Sequence, residues 1–343
     1  MAVIPVGRAL TVLGPGRLDP REWPEVEPGP GDAVVDVAHG GICGSDVHYW
    51  QRGEVGESVL RDPMVLGHEV VGTVRHAAAD GSGPPVGTPV AVHPAQTCGV
   101  CPHCANGRAN LCPELRYLGS AARRPHTQGG FAERLVVPTA RLTPVPDGLD
   151  LRTAALAEPA SVARHALTRL TGGLDGLSVL VTGAGPIGLL TVALAHLGGA
   201  AEVVVTDLFP RPLDLALRVG ATRAVPAGED LPPVDVAFES AGSPAALAGA
   251  LRALRPGGTL VQTGQLPSSG VTAPFHLAVT RELTVTGSSR FAGGMADALS
   301  TIAAHRSLFA PIVSAEYSPA DAEAALAGAA DPAASSKVLL SWP

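Results

Sequence analysis

Two kinds of hydrophobic pattern divide the chain. From Leu177 onward, short, mostly apolar runs alternate with stretches of helical period. LSVLVT (177–182) reads as a strand buried on both faces, because it lacks the strict alternation of a half-exposed one. It runs into Gly183-Ala184-Gly185-Pro186-Ile187-Gly188, then helix-like PIGLLTVALAHLG, then EVVVT ending at Asp207. VDVAFES (234–240), GTLVQTG (258–264) and ELTVTGS (282–288) read as further strands, with helical stretches at 244–254 and 295–305. This alternation predicts a doubly wound parallel sheet. Residues 1 to about 150 differ. AVVDVA, EVVGTV, PVAVHP and FAERLVV are short β-like runs separated by Pro and Gly, with little helical period. GPGRLDPREWPEVEPGPGD (14–32) reads as surface connection, and the terminal SSKVLLSWP as a strand returning to the first domain. The expected fold is α/β: a β-rich domain over 1–150, completed by 300–343, and a nucleotide-type domain over 151–299.

Composition narrows the function. The 343 residues are 46% hydrophobic and 16% charged, which excludes disorder as the main state. A net charge of −7 argues against a nucleic-acid partner. No run of eighteen apolar residues predicts a membrane span, and MAVIPVGRAL does not read as a secretory signal, so a cytoplasmic protein is expected. Of 24 basic residues only Lys337 is a lysine, a skew given no functional weight.

The glycine motif gains force from its context. It follows a strand, opens a helix, and has an acid 19 residues past Gly188. Gly183 permits the tight turn, Gly185 lets backbone approach a pyrophosphate, and Gly188 lets helix and strand pack, with Pro186 and Ile187 opening the helix. Asp207 should accept from a ribose 2′-hydroxyl and repel a 2′-phosphate, favouring NAD, while Arg211 leaves NADP open. The bland alternative for Asp207 is a strand-end cap.

The cysteines supply the other chemistry. Cys98, Cys101, Cys104 and Cys112 form C-x2-C-x2-C-x7-C in a Gly- and Pro-rich loop. Four thiolates there can enclose a structural zinc tetrahedrally, an iron–sulfur cluster and a redox-active pair being the rival readings. Cys43, Gly67-His68-Glu69 and Ala157-Glu158-Pro159 offer thiolate, imidazole and carboxylates, the donors of a catalytic zinc with one open position.

GGICGSDVHYW, PMVLGHEVVGTV, the four-cysteine lobe, AEPASVARHAL and VTGAGPIGLL together resemble zinc-dependent medium-chain dehydrogenases of the polyol dehydrogenase branch. LGSAARRPHTQGGFAERLVV, GSSRF and SAEY are most similar to the L-idonate 5-dehydrogenase group. The resemblance implies a GroES-like catalytic domain beside a Rossmann domain, one catalytic and one structural zinc, and a homodimer or homotetramer. It implies that Cys43, His68 and Glu69 hold the catalytic zinc, with Glu158 a further ligand or the partner of its water. Glu69 could instead orient His68. Ser45 and His48 match a proton relay, the alternatives being a turn cap and an exposed loop histidine. Gly264, Ser288 and Arg290 match cofactor positions, and Tyr49 and Arg290 positions near substrate. The implied reaction moves hydride between NAD(P) and a secondary alcohol: the C5 hydroxyl of L-idonate, alternatively a neutral polyol (sorbitol, xylitol) or L-threonine. A remote alternative is a non-catalytic nucleotide binder. Arg116, Arg123, Arg124 and Arg290 are the cations available to a substrate carboxylate, and His39, His93, His103 and His126 read as structural or exposed.

Overall fold

The computed structural model describes residues 2–343. Its first sheet runs in the order Leu142–Pro144, Pro89–Val92, Glu69–His76, Asp32–Gly41, Ala132–Pro138, Ile4–Gly14 and Arg17–Trp23, with neighbours antiparallel. With few aromatics available, its core is packed with branched aliphatics such as Val35, Val37, Val70, Val90, Leu135 and Val137. The stretch 14–32 is not only a connection. Arg17–Trp23 turns back on Ile4–Gly14 as a hairpin, and Pro20 is tolerated because this is the sheet's edge strand.

The end of the chain joins this sheet. Lys337–Ser341 pairs antiparallel with Asp32–Gly41, Leu339 lying opposite Gly41, and parallel with Val313–Tyr317. The boundary expected at residue 299 falls inside the helix Met295–Ala304, which packs against the helix Ala157–Leu167. Met295, Leu299 and Ile302 are buried in one apolar cluster with Leu189 of the helix Pro186–Leu197 and Val205 of the second sheet, so the chain turns back later, at Val313.

The second sheet is all-parallel: Arg223–Pro226, Glu202–Asp207, Ser178–Thr182, Val234–Glu239, Leu254–Gln262, Thr284–Gly287. Every residue of Ser178–Thr182 is buried, which explains its non-alternating sequence. In chain order the six strands lie 3-2-1-4-5-6, so the order reverses at Ser178–Thr182. A crevice opens there, beyond the strands' carboxyl ends. The glycine turn occupies that point, and Pro186–Leu197 starts directly after it.

Candidate active site

Cys43 is the N-cap of the helix Gly44–Arg52, and Asp46 at the third helical position reaches back to it. The buried Asp46 accepts from Cys43 N–H at 2.9 Å and, with its other oxygen, from Gly67 N–H at 3.0 Å. One carboxylate thereby ties the Cys43 turn to the His68 turn, with His68 Nδ1 at 3.9 Å. Donor atoms of Cys43, His68 and Glu69 all lie within 4.8 Å of one another. Burial opposes a charged His68, yet Asp46 and Cys43 beside it hold its pKa well above the ordinary histidine value. A thiol and two carboxylates around a buried imidazole favour positive charge, and the donor set fits a zinc ion with a free coordination position.

Glu69 has a second partner. Lys337, 2% exposed, places Nζ 2.6 Å from both Glu69 oxygens and 3.0 Å from Ile42 O. Gly41 lies between them in the sheet, opposite Glu69 on one side and Leu339 on the other. A Cβ on Gly41 would overlap the Glu69 carboxylate, so the ion pair forms through the space its missing side chain leaves. The chain's single lysine is thus the counter-ion of a metal ligand.

Glu158 stands outside the three-residue donor group. Its Oε1 accepts from Tyr117 Oη at 2.5 Å, and burial pushes its pKa up to about 7 against the opposing pull of His68. Tyr117 packs edge-on to His68, centroids 5.7 Å apart, and the Arg290 guanidinium sits 5.0 Å over its ring.

Fourteen residues apart at their extremes, Cys98, Cys101, Cys104 and Cys112 bring four sulfurs within 4.8 Å of one another. Backbone N–H groups of Val100 and Cys101 draw the Cys98 thiol down to about 6, favouring the thiolate that binds metal. Cys101 N–H lies 3.3 Å from Cys98 Sγ and Cys98 N–H 3.4 Å from Cys112 Sγ. Four sulfurs leave no site for substrate, so this centre ties down the lobe.

At the crevice, Gly183 has φ +86° and a Cβ on Gly188 would overlap Gly183 O, whereas Gly185 faces open space at the helix start. Asp207 accepts from Ala184 N–H at 2.7 Å and Phe209 N–H at 3.0 Å, which ties it to the glycine turn. Arg211 is exposed one residue into the next helix. Gly264 packs on Gly242, and Ser288 presents a buried hydroxyl without a hydrogen-bond partner. Open backbone at Gly185 and an unpaired hydroxyl at Ser288 fit a dinucleotide laid across the crevice.

Residues 29–147 match the alcohol dehydrogenase GroES-like domain and residues 186–304 the zinc-binding dehydrogenase family. The chain is 38% identical to L-idonate 5-dehydrogenase (NAD(P)(+)) of Escherichia coli K12, over 90% of its length and 91% of the relative's. This chain is a zinc-containing medium-chain dehydrogenase. The crystal structure of the E. coli L-idonate 5-dehydrogenase superposes with a TM-score of 0.90 at 34% identity, covering all of both chains. Sorbitol dehydrogenase of Bacillus subtilis 168 is 38% identical over 76% of each chain. A chain from Sinorhizobium meliloti 1021, solved bound to NADP, superposes at 0.87 with 33% identity, covering 98% of this chain and 99% of that one.

As a zinc-dependent NAD(P) alcohol or polyol dehydrogenase, the protein has its catalytic site at Cys43, His68 and Glu69 and its structural site at Cys98, Cys101, Cys104 and Cys112. Among the described residues, no helix is long and apolar enough to cross a membrane. Ser45 and His48 lie on a helix rather than a loop, three residues apart and so on one face. Tyr49, expected near substrate, is 2% exposed and packs in the apolar cluster with Leu10, Ile42 and Phe131. Its hydroxyl accepts from Ala121 N–H at 3.0 Å, so it anchors the 118–127 segment. His126 also holds that segment, accepting from Arg61 N–H at 2.9 Å and lying 2.9 Å from Arg123 O. Arg124 pairs with Asp62, and His39 lies 2.9 Å from Ser341 Oγ. Sequence reasoning missed Asp46, Tyr117 and Lys337. Only Asp46 left a signal, three residues after Cys43 as in a capping box.

Proposed function

We propose that the protein catalyses the reversible oxidation of the C5 hydroxyl of L-idonate to 5-ketogluconate with NAD. The supporting observation is the Cys43–His68–Glu69 donor set beside Tyr117, with the Arg290 cation stacked over that ring. Similarity to an L-idonate 5-dehydrogenase across both domains adds support. Zinc held by these three residues would supply the pull that makes an alcohol proton acidic, and a nicotinamide in the crevice would supply the hydride acceptor. Asp46 orients the Cys43 and His68 turns, and Lys337 neutralises the Glu69 ligand. Glu158, hydrogen-bonded to Tyr117 and outside the three-residue donor group, partners a water or hydroxyl at the centre rather than completing the ligand set. Asp207 favours NAD, and the exposed Arg211 makes NADP the second cofactor to assay.

Ser45 and His48 carry the released proton outward. Burial and Arg52 lower the His48 pKa below its ordinary value, so the ring is neutral and able to accept at pH 7. His48→Ala is expected to slow alcohol oxidation by up to about 100-fold near neutral pH. The deficit should shrink as pH rises and hydroxide takes over, with NAD affinity near wild type. An unchanged pH–rate profile would remove His48 from the relay.

The deciding assay is initial rates on L-idonate, sorbitol, xylitol and L-threonine, each with NAD and NADP. A clear preference for sorbitol, which the Bacillus relative's name favours, discards the idonate reading. We further propose a homodimer or homotetramer joined through the edge strand Thr284–Gly287, where Val285 and the neighbouring Phe275 and Val279 are exposed. Five unpaired cysteines suit the reducing cytoplasm.

A further inference from the structure

Beside the catalytic centre lies a cavity of about 330 Å³, closed on one side by the four-cysteine lobe and on another by the turn carrying Arg290. Arg116, Arg123 and Arg290 line it, and no Asp or Glu does. Among the described residues none of the three makes a salt bridge, whereas Arg124, which does not line the cavity, is held by both oxygens of Asp62 at 2.9 and 3.2 Å. Arg116 donates only to Pro125 O, at 3.1 Å. Three uncompensated guanidinium groups around one space repel one another, a cost that an anion there would remove. The chain as a whole carries −7, so the positive field is local to this wall.

A separate observation concerns the same wall. Thr127, a residue of the cavity wall, has a buried hydroxyl with no hydrogen-bond partner. A buried hydroxyl left unpaired costs about 1–3 kcal/mol, which a ligand oxygen would recover. Arg290 is one of two non-glycine residues with positive φ among the described residues, +51°, a strained conformation of the kind retained at binding sites. Asn110 of the four-cysteine lobe donates to Ser289 O at 2.9 Å and so braces that turn from across the domain boundary. Tyr117 is the shared wall: its ring lies under Arg290 and its hydroxyl on Glu158.

We propose that this cavity is an anion subsite that holds an acidic group on the substrate, a carboxylate or a phosphate, through Arg116, Arg123, Arg290 and the Thr127 hydroxyl. The reacting hydroxyl then lies at the zinc side of Tyr117 and the acidic group several bonds away on the arginine side. The proposal deepens the sugar-acid reading and rests on a polyhydroxylated substrate at this centre, but it does not require that substrate to be L-idonate.

The test compares kcat/KM for L-idonate, galactitol 1-phosphate and sorbitol in the wild type and in Arg123→Ala, Thr127→Val and Arg124→Ala. Wild type should prefer one of the two anionic compounds, and which one identifies carboxylate or phosphate as the source. Arg123→Ala should reduce that preference over sorbitol about 10- to 100-fold, mainly through KM, and Thr127→Val should reduce it in the same direction. Arg124→Ala, whose side chain is spent on Asp62, should leave the preference in place. Inorganic sulfate gives a readout independent of turnover: it should bind the wild type by calorimetry and bind Arg123→Ala at least about tenfold more weakly. Preference for a phosphate would sink the idonate reading and keep the subsite. Sorbitol as the best substrate, or an Arg123→Ala variant with unchanged preference and sulfate affinity, would overturn the subsite while leaving the zinc dehydrogenase intact.

Discussion

Lys337→Met is expected to destabilise the protein by about 3–5 kcal/mol, because it leaves the Glu69 carboxylate buried without its counter-ion. Lys337 and Glu69 are each 2% exposed or less, and the ammonium makes three short contacts, two to Glu69 and one to Ile42 O. Methionine retains the stem but supplies no charge and no donor. Chemical denaturation reads the loss as a lower midpoint with an unchanged slope. Adding Glu69→Leu should return much of the stability, since replacing both members of a buried pair costs far less than removing one. It should not return turnover, because Glu69 belongs to the metal set. An unchanged midpoint for Lys337→Met would show that the pair contributes nothing to the fold.

Cys43→Ala is expected to lower kcat by at least about 10³-fold, which corresponds to roughly 4 kcal/mol of lost transition-state stabilisation. The change removes the only thiolate of the open metal set and leaves the Cys98–Cys112 centre untouched. Cys43 caps its helix mainly through backbone: its N–H meets Asp46, and its C=O accepts from Asp46 and Val47 N–H groups. Alanine keeps those bonds, so the variant should fold with a far-ultraviolet spectrum like wild type. Wild-type turnover from Cys43→Ala would mean that the chemistry lies elsewhere.

The parts legible in the sequence are those whose physics is local. Gly183 and Gly188 have reasons contained within six residues: a left-handed turn and a helix start pressed on its preceding strand. The four-cysteine lobe lies within fifteen residues and was readable from spacing alone. Grouping Cys43 with His68 and Glu69 took residue chemistry together with a family resemblance, because 25 residues separate the first two. The remainder depends on topology. Lys337 is 268 residues from Glu69 and meets it only because the last strand pairs beside Gly41. Tyr117 meets Glu158 and Arg290, 41 and 173 residues further along the chain, and nothing in RYLGS marks it out. Tyr49 shows the opposite failure, a position assigned toward substrate whose side chain the fold spends on the core and on Ala121. The hairpin at 14–23 was hidden by prolines that an edge strand accommodates.

The ion gripped by Cys43, His68 and Glu69 is what activates the substrate hydroxyl. Zinc content and turnover, followed together during mild chelation, test it most directly. The open three-residue set should give up its metal before the enclosed four-thiolate centre. Activity should fall in step with the first zinc equivalent per chain, while the second equivalent remains bound, and added zinc should restore it. Full turnover by a preparation holding one zinc, at the four-cysteine centre alone, would contradict it.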